Sequence, residues 1–92
     1  MKYSVKFSSR FKKSIKKFKS NKNFNKEEFD IVLTELLSGN ILDKKYKNHT
    51  LSGEYDGMQE CHIQNDLLLI YYYIEKELVL YAVDIGSHSD LF

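Results

Sequence analysis

The chain has 92 residues, which is enough for a single domain over residues 1–92, and its 42% apolar and 14% aromatic residues argue against disorder. The apolar stretch at 67–74 is too short to span a membrane, and the charged N-terminus does not look like a signal peptide. A lone cysteine, Cys61, excludes an internal disulfide. We therefore expect a protein of the reducing cytoplasm that has no membrane partner.

Charge is distributed unevenly, although the net charge is only +1. Residues 1–26 hold ten of the fourteen basic residues and no acid, and residues 27–92 hold the other four with all thirteen acids. The first segment is thus +10 and the rest −9. This asymmetry indicates contact with a polyanion or an acidic protein, with a solvated lysine-rich helix face as the alternative.

The N-terminal part of the chain predicts one strand and two helices. Residues 2–7 alternate between apolar and polar, which is typical of a half-buried strand. A helix begins after Ser8 or Ser9 and carries one apolar stripe, with lysines over the rest of its surface. A second helix begins at the cap Asn25 and ends before Gly39.

The C-terminal part predicts a polar loop followed by strands. The loop spans 40–58, with a short strand near Tyr55, and the strands are 59–64, 67–74 and 78–85. Their short links allow only antiparallel hairpins, and the middle strand is apolar on both faces, so it takes the sheet centre. We predict an α+β fold, β-α-α-β-β-β, with a mostly antiparallel sheet and both helices packed on one face.

The candidate chemistry rests on three histidines, because the sequence has no metal-binding, phosphate-loop or serine-nucleophile motif. His49 lies in the loop, His62 in a strand and His88 in the terminal tail, which a folded sheet could bring together. RNA cleavage needs a base for the 2′-OH, an acid for the 5′-oxygen and positive charge at the phosphate. Histidine and lysine suit these roles without a metal or cofactor.

Each candidate also has a structural interpretation. His62 fits a core or edge histidine, and His49 fits an ordinary loop residue. Asp66 fits a hairpin turn, and Phe92 fits an anchor of the C-terminus to the core. From the residues alone, both interpretations stay open.

Three ordered motifs carry a resemblance to a known family. They are NHTLSGEYDG at 48–57, ECHIQNDLLLIY at 60–71 and IGSHSDLF at 85–92. The chain resembles the YafQ-type branch of the RelE/ParE toxin superfamily. The resemblance implies a RelE-like fold and a ribosome-dependent endoribonuclease that cleaves mRNA. It also implies a cognate antitoxin, with DNA contacted only through that antitoxin.

The resemblance implies roles for particular residues. His88 would be the main proton-transfer residue, and His49, His62 and Asp66 would position the phosphate and share acid–base work. Phe92 would order the tail and contact the nucleotide. We expect further RNA contacts from the loop lysines and ribosome or antitoxin contacts from the helix lysines. These are Lys44, Lys45 and Lys47 in the loop, and Lys12, Lys13, Lys16, Lys17 and Lys19 in the helix.

Three positions depart from the family pattern. Gln59 and Asp84 stand where relatives commonly have arginine, and Leu67 stands where they often have tryptophan. An acid at 84 would repel the scissile phosphate and act on a nearby His88. These departures motivate a rival hypothesis, a catalytically weakened protein that works mainly as an antitoxin-binding partner in a repressor complex. The basic segment motivates a third, a plain RNA- or DNA-binding domain.

Overall fold

The computed structural model describes all 92 residues, Met1 to Phe92. Its main elements follow the predicted order, with a two-residue strand added in the loop and a short helix added at the C-terminus. In chain order they are β1 (Ser4–Phe7), α1 (Ser9–Lys19), α2 (Lys26–Leu37), β2 (His49–Thr50), β3 (Gln59–Gln64), β4 (Leu67–Ile74), β5 (Val79–Gly86) and α3 (His88–Leu91).

One five-stranded sheet organises the molecule, in the order β1-β5-β4-β3-β2. Every strand pair is antiparallel except β1 with β5, which is parallel. Strand β4 occupies the centre, as its two apolar faces predicted. The α+β class and the mostly antiparallel sheet are confirmed.

Both long helices begin and end where the sequence predicted. The Ser8 side chain accepts a hydrogen bond from the backbone of Phe11 at the start of α1, and Asn25 does the same for Glu28 in α2. Gly39 follows α2 with φ +76°, a conformation that favours glycine. Both helices bury their apolar stripes against the same sheet face, as predicted. The core there includes Phe11, Ile15, Val32, Leu36, Ile63, Leu69, Leu80 and Ile85.

The opposite face of the sheet has a smaller apolar cluster. Leu68 and Ile70 of β4 lie there under Leu91 of α3, and parts of the 51–58 segment pack around them. Since side chains alternate along a strand, residues paired with Leu68 and Ile70 share this face. Glu60 and His62 of β3 therefore lie on this face, which we call the second face.

Two details of the prediction were wrong. Tyr55 lies in a short 3₁₀ turn (Gly53–Tyr55), and the extra strand is His49–Thr50 instead. The C-terminal tail is a helical turn, α3, fixed by a capping box between Ser87 and Asp90. A two-residue strand has too little alternation to be recognised, and a single helical turn is too short to show a helical period.

The helices are short. The longest has 12 residues, and none has the length and apolar character needed to cross a bilayer.

Candidate active site

Sheet register brings the three histidines to one end of the second face. His49 of β2 pairs with Glu60 of β3, and His62 follows two residues later on the same side. His62 pairs with Leu68, which pairs with Gly86, the last residue before the α3 cap. The ring centroids of His49 and His62 are 6.5 Å apart, and those of His62 and His88 are 6.0 Å apart.

Asp66 holds His88 from the β3–β4 hairpin. Asp66 adopts φ 54°, a left-handed turn conformation that aspartate tolerates. Its Oδ1 accepts a hydrogen bond from the backbone N–H of His88 at 3.1 Å and lies 3.7 Å from His88 Nδ1. The side chain of His88 is well exposed, and its Nε2 has no protein partner. Asp66 is thus both a turn residue and a holder of His88.

Glu60 is the site residue that sequence reasoning missed. Its side chain is buried, yet Oε1 lies 3.3 Å from Nε2 of His49 and 3.6 Å from Nε2 of His62. Its other oxygen, Oε2, is buried without a hydrogen-bond partner. The sequence did contain an indication of Glu60, because residues two apart in a strand point to the same face of the sheet. Glu60 therefore lies next to His62 on that face.

His62 is only partly buried, and its surroundings favour the neutral ring. Burial lowers the pKa of His62 below its ordinary value, and the positive charges of Lys47 and of the other two histidines lower it further. Glu60 acts in the opposite direction and raises that pKa, without reversing the net shift. His62 is therefore suited to accept a proton near neutral pH.

The three loop lysines have different surroundings. Lys47 lines the same cleft as His62. Lys45 also borders this cleft, but it pairs with Glu28 at 3.6 Å. Lys44 lines only a different cleft, together with Tyr3, and Lys47 borders that cleft too. Of the three, Lys47 is best placed to meet a phosphate at the histidines.

Phe92 lies beside the histidines with much of its ring exposed. Its centroid is 6.1 Å from that of His88, and it meets Tyr55 edge-on at 5.7 Å. The residue that anchors the C-terminus in the core is Leu91, which is 7% exposed, whereas Phe92 is 60% exposed. An aromatic ring so placed can stack on a base of single-stranded RNA.

The lysines of α1 lie apart from the histidine cluster, and all of them are exposed. Lys17 forms an ion pair with Asp90 of α3 at 3.8 Å, which links this helix to the one that carries His88. None of the other four is in an ion pair, and they present an open basic surface. They are Lys12, Lys13, Lys16 and Lys19.

Asp84 does not stand where the family pattern placed it. The expectation that it faces a scissile phosphate and acts on His88 was wrong in its geometry. Asp84 is buried, accepts a hydrogen bond from Ser14 of α1 at 2.8 Å, and lies 3.8 Å from Nε of Arg10. A bulge in β5 at this point turns the carboxylate toward α1.

Two other chemistries have little support at this site. Cys61 is fully buried, and burial raises its pKa to about 12, so the thiolate that a nucleophile requires is not available near neutral pH. No three side chains from His, Cys, Asp and Glu are arranged to hold a metal ion. What converges instead is two carboxylate–imidazole pairs, Glu60 with His62 and Asp66 with His88, beside a lysine and an aromatic ring. This set can move two protons at one phosphodiester.

Sequence relatives are toxins by name. An Escherichia coli K12 protein, the mRNA interferase toxin YafQ, is 30% identical over 90 residues, which cover 96% of this chain and 94% of the relative. A Haemophilus influenzae protein that also bears the name toxin YafQ is 49% identical over 42 residues, 46% of this chain and 41% of that protein.

Solved structures share the fold. A metal-bound toxin from Helicobacter pylori superposes with a TM-score of 0.89 at 36% identity, covering 98% of this chain and 99% of the other. YafQ in an Escherichia coli DinJ–YafQ complex superposes with a TM-score of 0.83 at 24% identity, covering 98% of each chain, a likeness of fold. A family model described as the bacterial toxin of type II toxin–antitoxin systems, YafQ, matches residues 3–92. The chain belongs to the YafQ family of bacterial toxins.

Proposed function

We propose that this chain is an endoribonuclease toxin that cleaves mRNA on the ribosome by acid–base catalysis. The observation that carries the proposal is the convergence of His49, His62 and His88 on one open face, with a carboxylate oxygen within 4 Å of each ring. The name of the Escherichia coli relative, mRNA interferase toxin, supports the substrate class.

The reaction follows from where the protons can go. A neutral histidine, His62 or His49, takes the proton of the ribose 2′-OH, and the 2′-oxygen attacks the adjacent phosphorus. The bond from phosphorus to the 5′-oxygen breaks, and His88 supplies a proton to that oxygen from its free Nε2 side. The products are a 2′,3′-cyclic phosphate and a 5′-hydroxyl. Asp66 orients His88. Lys47 and the protonated His88 stabilise the negative charge of the phosphate, and Phe92 stacks on a neighbouring base.

We propose that this chemistry proceeds without a metal, since the two histidine–carboxylate pairs provide both proton transfers. A Helicobacter pylori relative has been solved in a metal-bound form, and another as a copper-bound mutant. A metal requirement is therefore the alternative mechanism, and the response of cleavage to a chelator distinguishes the two.

An antitoxin is the proposed partner, because the family is defined by type II toxin–antitoxin systems and Escherichia coli YafQ has been solved with DinJ. The exposed lysines of α1 are a surface that an acidic, partly disordered segment can cover as it folds. The exposed Phe92 next to His88 offers a second point of inhibition, by displacement of α3. Contact with DNA would come only through the antitoxin, and the setting would be the cytoplasm.

A second candidate function is favoured by the environment of Gln59. Its side chain donates to Thr50 at 2.8 Å and accepts from Asn48 at 3.1 Å, so this position offers no positive charge to a phosphate. A weakened catalyst that serves mainly as the antitoxin's partner would follow. It predicts antitoxin binding at full strength together with slow cleavage.

Induced expression with mapping of mRNA 5′ ends tests the proposal. New 5′-hydroxyl ends inside coding regions, lost when ribosomes are kept off the message, are expected. Ser89→Ala, an exposed change in α3, is the matched control and should leave the ends unchanged. Growth without arrest and no new ends would favour the weakened protein, and RNA binding without ribosome dependence would favour a plain nucleic-acid-binding domain.

A further inference from the structure

A buried carboxylate, Glu60, lies between two histidines, and the proposed reaction so far uses it only as the partner of His62. It is 2% exposed, one oxygen faces both imidazoles, and the other is buried without a partner. Burying an ionised group with an unmatched oxygen costs free energy. Packing alone would be served better by an apolar side chain, so this position points to a role in the site.

His49 is held between two groups that only accept hydrogen bonds. Its Nδ1 lies 3.0 Å from the carbonyl oxygen of Lys47, and its Nε2 lies 3.3 Å from Oε1 of Glu60. A neutral imidazole has a single N–H, so it would direct one nitrogen lone pair at an oxygen. An imidazolium would donate from Nδ1 to the Lys47 carbonyl and hold its positive charge 3.3 Å from Oε1 of Glu60. The geometry therefore gives the His49 ring an acceptor oxygen at each of its two nitrogens.

His62 meets the same carboxylate differently. Only Nε2 faces Glu60, at 3.6 Å, and Nδ1 has no protein partner. If Nε2 carries the proton and points it at the carboxylate, the neutral ring keeps a lone pair on Nδ1. A carboxylate that fixes the tautomer of a histidine base is a recurring arrangement in acid–base enzymes.

We infer that Glu60 is a positioning residue that holds His49 as a fixed imidazolium and sets His62 in its Nε2–H tautomer, so that Nδ1 of His62 is the base for the 2′-OH. This inference rests on the proposed function and deepens it. The 2′-OH proton moves to Nδ1 of His62, and His88 returns a proton to the 5′-oxygen. The same site then has two carboxylate–imidazole pairs with opposite tasks.

The other charges around Glu60 fit this division. Lys47, from the loop before β2, and His88, from α3, lower the pKa of His62, as does His49, and burial lowers it most. Glu60 alone raises it. A charged His49 at a fixed place adds a positive charge that no side chain at position 59 or 84 supplies.

NMR of the protein without RNA tests the inference independently of activity. Long-range proton–nitrogen spectra of the imidazole rings report which nitrogens carry protons. In the unmodified protein near neutral pH, we expect both nitrogens of His49 protonated and His62 in its Nε2–H form. In Glu60→Gln, the spectra of His49 should no longer show protons on both ring nitrogens. The spectra of His62 should show both neutral tautomers, and the pKa of His62 should be lower. Asp66→Asn, the matched control, should alter His88 and leave the other two rings unchanged.

Spectra of His49 and His62 that are the same in folded Glu60→Gln as in the unmodified protein would overturn the inference. If Glu60→Gln does not fold, Glu60→Asp is measured in its place. Its shorter carboxylate should reduce the fraction of His49 with protons on both ring nitrogens. An unchanged fraction would overturn the inference. A merely structural Glu60 predicts lost stability with both rings unchanged.

Single-turnover cleavage of ribosome-bound mRNA adds a kinetic test. Glu60→Gln should lower the maximal rate by ~10²-fold, with a small effect on KM, because the base loses its orientation. Glu60→Asp should recover part of that rate. A loss in KM with an unchanged maximal rate would contradict a positioning role. If the unmodified protein does not cleave, the proposed function fails, and the spectra still decide what Glu60 does.

Discussion

Ser14 of α1 donates a hydrogen bond to Asp84 of β5 at 2.8 Å, and the same carboxylate oxygen accepts the backbone N–H of Ile85 at 2.8 Å. Arg10 lies 3.8 Å from the second oxygen, but most of its side chain is in solvent. Asp84 therefore fastens the first helix to the bulged end of β5, the strand that leads into His88. Its carboxylate is engaged within the protein and is not directed at RNA.

Asp84→Arg is accordingly expected to destabilise the fold and not to speed cleavage. The substitution removes two hydrogen bonds to a buried charge, which amounts to about 3–6 kcal/mol of the free energy of unfolding, and places a second cation beside Arg10. Asp84→Asn keeps one acceptor oxygen and should lose about half as much. Urea denaturation measures both. A stable Asp84→Arg variant that cleaves faster would restore the interpretation of position 84 as a phosphate site.

The exposed lysines of α1 should contribute charge to RNA or ribosome binding and no chemistry. Replacing Lys12, Lys13 and Lys16 with Gln should weaken binding and flatten its salt dependence, by up to about 0.7 in slope for each phosphate of a single strand that is no longer neutralised. Cleavage at saturation should be unchanged. An identical salt slope would show that these lysines face only solvent or the antitoxin.

Lys17 is left intact in that variant, because its ion pair with Asp90 links α1 to α3 and its loss could disturb the helix that carries His88. Lys22, an exposed lysine in the loop between the two long helices, serves as the matched control. Lys22→Gln should change the slope less than any of the three helix substitutions, if the surface of α1 is the one that binds.

Much of this fold could be predicted from the sequence, because burying one face of a helix or strand spaces its apolar residues at a regular interval. Strand β3 has the predicted bounds, Gln59–Gln64, and β4 has them too, since one alternates and the other is an apolar run between turns. Caps at Ser8 and Asn25 fixed the helix starts. The parallel pairing of β1 with β5 was not predictable, because partner choice depends on tertiary packing and not on the pattern of a single strand.

The candidate site was predictable only in part. The three histidines were candidates from the residues alone, the family resemblance added a role for Asp66, and the register explains why they meet. The burial of Glu60 depends on how the 51–58 segment and α3 cover the second face, and no local sequence pattern predicts those contacts. The predicted orientation of Asp84 was wrong for a related reason. The bulge in β5 redirects a side chain that a regular strand would have placed elsewhere.

Acid should destabilise the protein partly through His62. The pKa of His62 in the folded chain lies below the ordinary 6.5, so between the two values the unfolded chain binds more protons. The contribution of His62 to the free energy of unfolding is therefore present above pH 6.5 and declines as the pH falls below it. Denaturation of the unmodified protein and His62→Asn at pH 5, 6, 7 and 8 measures this. A difference between the two that is constant across this range would contradict the lowered pKa.

Cleavage should continue in the presence of a chelator that removes transition metals while Mg²⁺ keeps the ribosome intact. The physical reason is that His62 and His88, each with a carboxylate, can supply both proton transfers, and no three candidate ligands converge on a metal position. Loss of activity with the chelator, recovered on adding Cu²⁺ or Zn²⁺, would contradict the proposal and would link this chain to its metal-bound Helicobacter pylori relative.

The central claim is that His88, held by Asp66, transfers the proton that releases the 5′-oxygen. Its most direct test is the single-turnover rate of cleavage of ribosome-bound mRNA by purified His88→Ala. The capping box of Ser87 and Asp90 keeps α3 in place without the imidazole, so the variant should fold with an unchanged circular dichroism spectrum. We predict a rate lower by ~10²–10⁴-fold with ribosome binding retained. A folded, ribosome-bound His88→Ala that cleaves at the unmodified rate would contradict the claim.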